Sequence, residues 1–254
     1  MILTIDAGNS NIVAGAATAE KILFTKRFVT HPAKSADEYC ALLEEALQEN
    51  GISISDLEGS IISSVVPAVT GPLAEAAQKL LGKSPVIVGP NIRTDLKILT
   101  DDPSEVGADL IVAAVAAAAV YPLPQIIIDM GTATTLSAID RSGVFIGCVI
   151  IPGMRVALES LVKGASQLVS VSLEAPEHVL GTNTVDCLKS GSVLANACML
   201  DGMIDRIEEE MNEKTTVIAT GGLAYRVVPH CRHEIILDDD LLLRGMYILF
   251  DKNR

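Results

Sequence analysis

The chain has no tryptophan, and aromatic residues make up only 3% of its 254 positions. Large flat rings therefore cannot dominate its interior. The core must be aliphatic and built on small residues, with close backbone contacts. The five cysteines are odd in number and scattered, without a C-x-x-C pair. That pattern excludes a disulfide framework and suits reduced thiols in the cytoplasm. Basic charge is also scarce: 19 Lys and Arg stand against 32 Asp and Glu, a formal net charge of -13. Such a surface repels nucleic acid, whose phosphates need Lys and Arg. Any anionic ligand must be held by local backbone donors, a few cations or a metal ion. The longest apolar stretch, Leu110 to Val120, falls short of the roughly 20 residues that span a bilayer, and Asp6 interrupts the apolar start too early for a secretory signal. The expectation is a soluble cytoplasmic protein with no nucleic-acid or membrane partner. His230-Cys231-Arg232-His233 carries metal-ligating side chains, but no neighbouring sequence completes a four-ligand zinc set.

What is present begins with Ile126-Ile127-Ile128-Asp129-Met130-Gly131-Thr132-Ala133-Thr134-Thr135. The β-branched run predicts a buried strand that fixes Asp129 at its carboxyl end. Gly131 allows close backbone approach to a ligand, and the hydroxyls and N–H groups beyond it can hold phosphate oxygens. The chain opens on the same design, Ile2-Leu3-Thr4-Ile5-Asp6-Ala7-Gly8-Asn9-Ser10. A single strand–Asp-x-Gly unit is compatible with an ordinary β-turn. Two in matching positions predict a duplicated fold.

The rest of the pattern fits that duplication. Strands are expected over 2–6, 11–18, 21–29, 59–66 and 85–88, with helices from the Ser35 capping box to Gly51 and over 71–81. The Ala-rich helix 108–120 carries small residues all round and should be buried. Tyr121-Pro122-Leu123-Pro124 ends it, dividing the chain into halves 1–120 and 121–254. The second half starts over with strands 125–129, 136–140 and 144–150. Helix 154–162, a long helical region 184–211, strand 215–219, a short helix 223–228, strand 234–237 and a terminal helix 240–250 follow.

Two Asp-x-Gly hairpins are suited to phosphoryl transfer, where a protein positions a nucleotide, offsets its charge and orients a nucleophile. Asp6 and Asp129 are candidate cation ligands. Gly8, Asn9, Ser10, Thr132 and Thr134 are candidate phosphate donors. Gly221-Gly222 after a strand would let an adenine ring lie against bare backbone, although for the pair taken alone a plain turn is the favoured reading. Asp109 opens the buried helix. It reads either as a carboxylate offsetting the helix dipole or as a general base for an acceptor hydroxyl. Gly181-Thr182-Asn183-Thr184 reads as a loop closing on a helix cap.

Asp6-x-Gly-Asn-Ser, Glu105-Val-Gly-Ala-Asp109, Asp129-x-Gly-Thr-Ala-Thr-Thr, Pro152-Gly153, Gly181-Thr-Asn-Thr184 and Ala219-Thr-Gly-Gly-Leu223, in this order and spacing, resemble the type III pantothenate kinases. The resemblance covers essentially the whole chain. It implies an α/β fold of two ribonuclease-H-like, actin-like ATPase halves with a cleft between them. It also implies ATP-dependent phosphorylation of pantothenate to 4'-phosphopantothenate, the first step of coenzyme A biosynthesis. By position, Asp6, Ala7, Gly8, Asn9, Ser10, Asn11, Ile12 and Val13 correspond to the ATP-binding hairpin, joined by Thr132, Gly221 and Gly222. Asp109 corresponds to the catalytic base. Gly107, Ala108, Asp109, Leu110 and Thr184 correspond to pantothenate contacts. Asp129 corresponds to the ligand of a monovalent cation, K⁺ or NH4⁺, and Asp6 to a ligand of Mg²⁺, directly or through water. The resemblance further implies a homodimer, with the helix after Thr184 as its natural contact. Two positions depart from the family pattern: Leu110 stands where Arg commonly follows the base, and Thr100 where an aromatic residue is frequent. Loss of the Arg would remove a charge-assisted hydrogen bond to a carboxylate substrate worth about 1.5–3 kcal/mol. Other readings of the same residues are a turnover-deficient nucleotide-binding regulatory protein and a kinase for another small hydroxy-acid or sugar.

Overall fold

The computed structural model describes residues 1–254, which form two compact units. One unit comprises residues 1–96, 101–119 and 240–254, and the other comprises 97–100 and 120–239.

In the first unit β1 (Ile2–Ala7), β2 (Asn11–Ala17), β3 (Ile22–Val29), β4 (Ser60–Ser64) and β5 (Val86–Ile87) form one sheet in the order β3-β2-β1-β4-β5. The first three strands are an antiparallel meander, and β4 and β5 join parallel to β1. One face packs Leu3, Ile5, Ile12, Ala14 and Ile62 against α1 (Ala36–Glu49) and α2 (Pro67–Leu81). The expected capping box closes the head of α1: Ser35 accepts from the Glu38 N–H, and the Glu38 carboxylate accepts from the Ser35 N–H at 2.8 Å. α2 starts four residues ahead of the expected Gly71, because Pro67 supplies a preset φ at the first helical position. The other face of the sheet takes α7 (Leu241–Asn253), which also packs on α3 (Ala108–Val120): a Cβ on Gly245 would collide with the Val112 carbonyl oxygen. Ile111 through Ala117 of α3 are all buried.

The second unit repeats the plan. β7 (Gln125–Met130), β8 (Ala133–Ile139) and β9 (Val144–Pro152) form the meander, and β10 (Thr216–Thr220) and β11 (Ile236–Leu237) add in parallel. Even an irregularity recurs, since the pairing shifts at Ala16/Ala17 in one unit and at Ala138/Ile139 in the other. The core packs Ile126, Ile128, Met130 and Leu136 against Met154 and Leu158 of α4 (Met154–Gly164) and against Leu188, Val193, Leu200 and Ile204 of α5 (Thr184–Met211). A short α6 (Ala224–Val227) follows β10.

A single division at 120/121 is corrected at two places. The terminal helix belongs to the first unit, because Leu241, Leu243, Met246 and Leu249 need that sheet's open apolar face. The strand β6 (Lys97–Ile98), absent from the sequence expectation, pairs parallel to β9 and extends the second sheet.

Candidate active site

The first hairpin is held by its own backbone and by Thr30. The Gly8 N–H donates to the Asn11 carbonyl at 2.9 Å, the Thr30 hydroxyl to Gly8 O at 2.6 Å, and the Thr30 N–H to Ser10 O at 3.0 Å. Asp6 lies at the end of β1, half-buried, and Asn9 and Ser10 are exposed at the tip. Ala7 and Ile12 are fully buried in the α1/α2 core, so only their backbone can serve a ligand. Val13 stands level with Asp6 on the neighbouring strand.

Asp109 occupies the second position of α3. Gly107 precedes the helix and accepts the Ile111 N–H at 3.1 Å. The Asp109 Oδ1 accepts from the Leu110 N–H at 2.8 Å and lies so close to Gly107 that a Cβ there would come within 2.5 Å of it. Burial raises the Asp109 carboxyl above its ordinary value of 3.8, against the opposing backbone hydrogen bonds. A carboxylate held at a helix start could serve the dipole alone, but one pushed upward by desolvation is also a stronger proton acceptor. Beside it lies a cavity of about 280 Å³, lined by Ser64, Val65, Gly89, Pro90 and residues 103–108 together with Ile111. Its only charged lining residue is Glu105. Leu110, half-buried, brings no cation to this region.

In the second unit the β7–β8 turn closes with Gly131 N–H donating to Ala133 O at 2.9 Å. Gly131 and Thr132 are exposed at its tip. Gly153 packs against that tip: its N–H donates to Thr132 O at 3.1 Å, and a side chain there would collide with the Thr132 carbonyl. Asp129, half-buried, sits in a row with Thr135 on β8 and Thr220 on β10. Gly221 follows at φ +92, pressed onto Asp129 and Met130, where a Cβ would lie 2.6 Å from the Met130 nitrogen. Only glycine tolerates both the left-handed backbone and that approach. Gly222 is half-buried beside it. Thr134 is removed from the candidate phosphate donors. It is fully buried, level with Met130 and on the opposite face from Thr135, and its hydroxyl meets no partner. Thr184 is exposed at the first turn of α5, while the cap itself is Asn183, whose side chain accepts from the Asp186 N–H at 3.0 Å. Thr100 belongs to the second unit, its hydroxyl buried and unpartnered.

Ser63, Ser64 and Val65 on and after β4 belong to none of the sequence motifs, and Thr220 stands beside Asp129 only by strand pairing. Their proximity is a matter of strand register, which no local motif encodes.

A family model described as type III pantothenate kinase matches residues 2–206. The chain belongs to the type III pantothenate kinase family. Among curated relatives, a type III pantothenate kinase from Exiguobacterium sp. is 39% identical over 254 residues, covering all of both chains. One from Shouchella clausii is 41% identical over 256 residues, again covering both in full. Among solved structures, the activator of 2-hydroxyisocaproyl-CoA dehydratase from Clostridium difficile, with bound ADPNP, superposes with a TM-score of 0.56 at 14% identity, over 98% of this chain and 94% of that one. That likeness concerns the fold, an α/β architecture of the actin-like ATPase kind, and it agrees with the repeated sheet order of this family member.

Proposed function

We propose that the protein transfers the terminal phosphoryl group of ATP to the primary hydroxyl of pantothenate, yielding ADP and 4'-phosphopantothenate, the first step of coenzyme A biosynthesis. The observation that carries this reading is Asp109. In a chain of this family, the one carboxylate held at the start of a buried helix beside a cavity is raised by its burial. Asp109 takes the proton from the acceptor hydroxyl. The alcohol oxygen forms its bond to the γ-phosphorus as the bond to the β–γ bridging oxygen breaks, and ADP leaves with that electron pair. Gly107, Ala108 and Leu110 shape the approach of the acceptor, and Thr184 adds a contact to it.

Gly8, Asn9, Ser10 and Asn11 offer backbone and side-chain donors to phosphate oxygens, as does Thr132, and Gly221-Gly222 gives the adenine a flat backbone surface. Mg²⁺ is a hard cation that prefers oxygen ligands. The half-buried Asp6 carboxylate, beside the unpartnered hydroxyl of Ser63, offers that donor chemistry. Asp129, with Thr135 and Thr220 in its row and Gly221 pressed on it, offers an oxygen-rich place for K⁺ or NH4⁺. Such ions supply positive charge that offsets the phosphates.

The reading includes a homodimer in the cytoplasm. Cys187, Gly191, Cys198 and Gly202 form an exposed strip of small residues along α5, and side chains added at Gly191 or Gly202 would meet nothing within 4 Å. No helix is long and apolar enough to cross a membrane.

The experiment is ADP formation by purified protein given ATP, pantothenate, Mg²⁺ and K⁺, with the phosphorylated product identified by mass. A folded protein that yields neither product refutes the proposal. One observation favours a second reading. The cavity beside Asp109 has no cation in its lining, which suits a neutral hydroxyl compound such as a sugar better than a carboxylate. A substrate panel of pantothenate, its alcohol analogue and simple sugars separates the two.

A further inference from the structure

Ser63, on β4, is fully buried, and its hydroxyl meets no hydrogen-bond partner. Buried hydroxyls are normally paired, so an unpaired one calls for a reason. Its neighbours are satisfied. Thr4 is buried on the same face of the sheet and donates to Gly15 O at 3.1 Å. Ser64, on the opposite face, accepts from the Val66 N–H at 3.2 Å and from the Thr70 hydroxyl at 2.8 Å. Ser60 also lacks a partner, but it stands at the far end of the strand, level with Leu3.

Register gives Ser63 its significance. β1 and β4 are parallel, and Asp6 stands directly level with Ser63. Side chains level on adjacent strands leave the same face, with strands about 4.8 Å apart. A serine hydroxyl turns freely about its own bonds, so it can reach a carboxylate in the next position of that row. The second unit repeats the arrangement. Thr220 on β10 stands level with Asp129 on the parallel β7 and is 2% exposed. In each unit, therefore, the Asp of the Asp-x-Gly hairpin has a buried hydroxyl residue at its side.

We propose that Ser63 is a positioning residue for nucleotide binding: on entry of Mg·ATP its hydroxyl donates to the Asp6 carboxylate and fixes the oxygen that faces the ligand. Thr220 holds the same place toward Asp129. The proposal rests on the reading of Asp6 as a ligand of Mg·ATP. Ser63 does not touch the reacting atoms; it acts through Asp6.

Ser63→Ala tests it by two readouts taken on the full chain. Without nucleotide, the variant should melt at or above the temperature of the unmodified protein, because an unpaired buried hydroxyl has been removed. By calorimetry its affinity for Mg·ATP should fall about tenfold, the scale of one hydrogen bond to a charged group. The KM for the acceptor should stay unchanged. Ser63→Thr, which keeps the hydroxyl, should restore the affinity. A purely structural Ser63 would instead lower the nucleotide-free melting temperature and leave the affinity alone, which overturns the proposal, as does equal affinity in Ser63→Ala and the unmodified protein. If the unmodified protein fails to bind Mg·ATP at all, the nucleotide reading of Asp6 falls first, and the two failures remain distinct.

Discussion

Asp109→Asn separates the two roles available to a carboxylate at the start of α3. The amide keeps an oxygen that can accept the Leu110 N–H now bonded at 2.8 Å, so the helix start keeps its partner. What the substitution removes is the charge and the ability to take a proton. Loss of a general base costs about 10² to 10⁴ in rate, a barrier increase of about 3–5 kcal/mol. The stability effect has a definite sign. Burial is the largest influence on this carboxyl and raises it above 3.8. The folded protein therefore holds the proton more tightly than the unfolded chain does. Stability is highest below the ordinary value and falls as pH rises through the folded-state value. Asp109→Asn removes that loss. The variant should be at least as stable as the unmodified protein at neutral pH, with the difference shrinking toward pH 3.8. Opposing this is a favourable helix-terminal charge, worth about 0.3–1 kcal/mol. The assays are ADP formation across pH with Mg²⁺ and K⁺ present, and urea unfolding over the same range. The unmodified enzyme should lose activity as pH falls through the raised value, and the variant's residual rate should lack that limb. Near-normal turnover by a folded Asp109→Asn would refute the base. A variant clearly less stable at neutral pH would show that the helix-terminal charge outweighs the burial.

Two further substitutions probe the second unit. Gly221→Ala places a methyl group 2.6 Å from the Met130 nitrogen at a φ of +92. Left-handed strain of about 1–3 kcal/mol and overpacking of a similar size should together lower stability by about 2–5 kcal/mol in urea unfolding. An unchanged midpoint would mean that the backbone does not press on Asp129. Asp129→Asn should raise the K⁺ concentration needed for half-maximal activation about tenfold, the scale of a lost charged contact. A potassium titration identical to that of the unmodified protein counts against the cation role.

Much of the fold was legible because local chemistry and tertiary structure agree. The Ser35–Glu38 box heads α1 as read, and α5 spans residues 184–211 as its pattern implied. The strand–Asp-x-Gly runs became β1 and β7, each followed by its antiparallel partner. What failed lies where local sequence carries little information. β6 is two residues long, and no period can be read from two residues; its partner β9 lies more than forty positions away. The sequence of α7 reads as a helix, but nothing in Asp240 to Phe250 says which sheet its apolar face will seek. That choice was made by the uncovered face of the first sheet, where Leu243 fills the space left by Gly15.

The site divides along the same line. Motif residues stand out as candidates because their chemistry is contiguous: Asp6 with Gly8, Asp129 with Gly131, Gly107 with Asp109. Residues brought level with them across strands carry no such local signal, and Thr134 shows why. Strand alternation dictates that Thr134 and Thr135 point to opposite faces, but it does not say which of the two joins Asp129. The register decides it: Thr135 stands level with Asp129 and Thr134 with Met130, so Thr134 turns into the apolar core and leaves its hydroxyl unpaired. The same rule works in reverse for Ser63, which has no motif around it and becomes interesting only because β4 brings it level with Asp6. A duplicated fold makes this argument stronger than it would be for one sheet. When both units, with almost no residue identities in common outside the hairpins, set a buried hydroxyl residue beside the hairpin Asp, the feature follows the strand order rather than any shared local sequence.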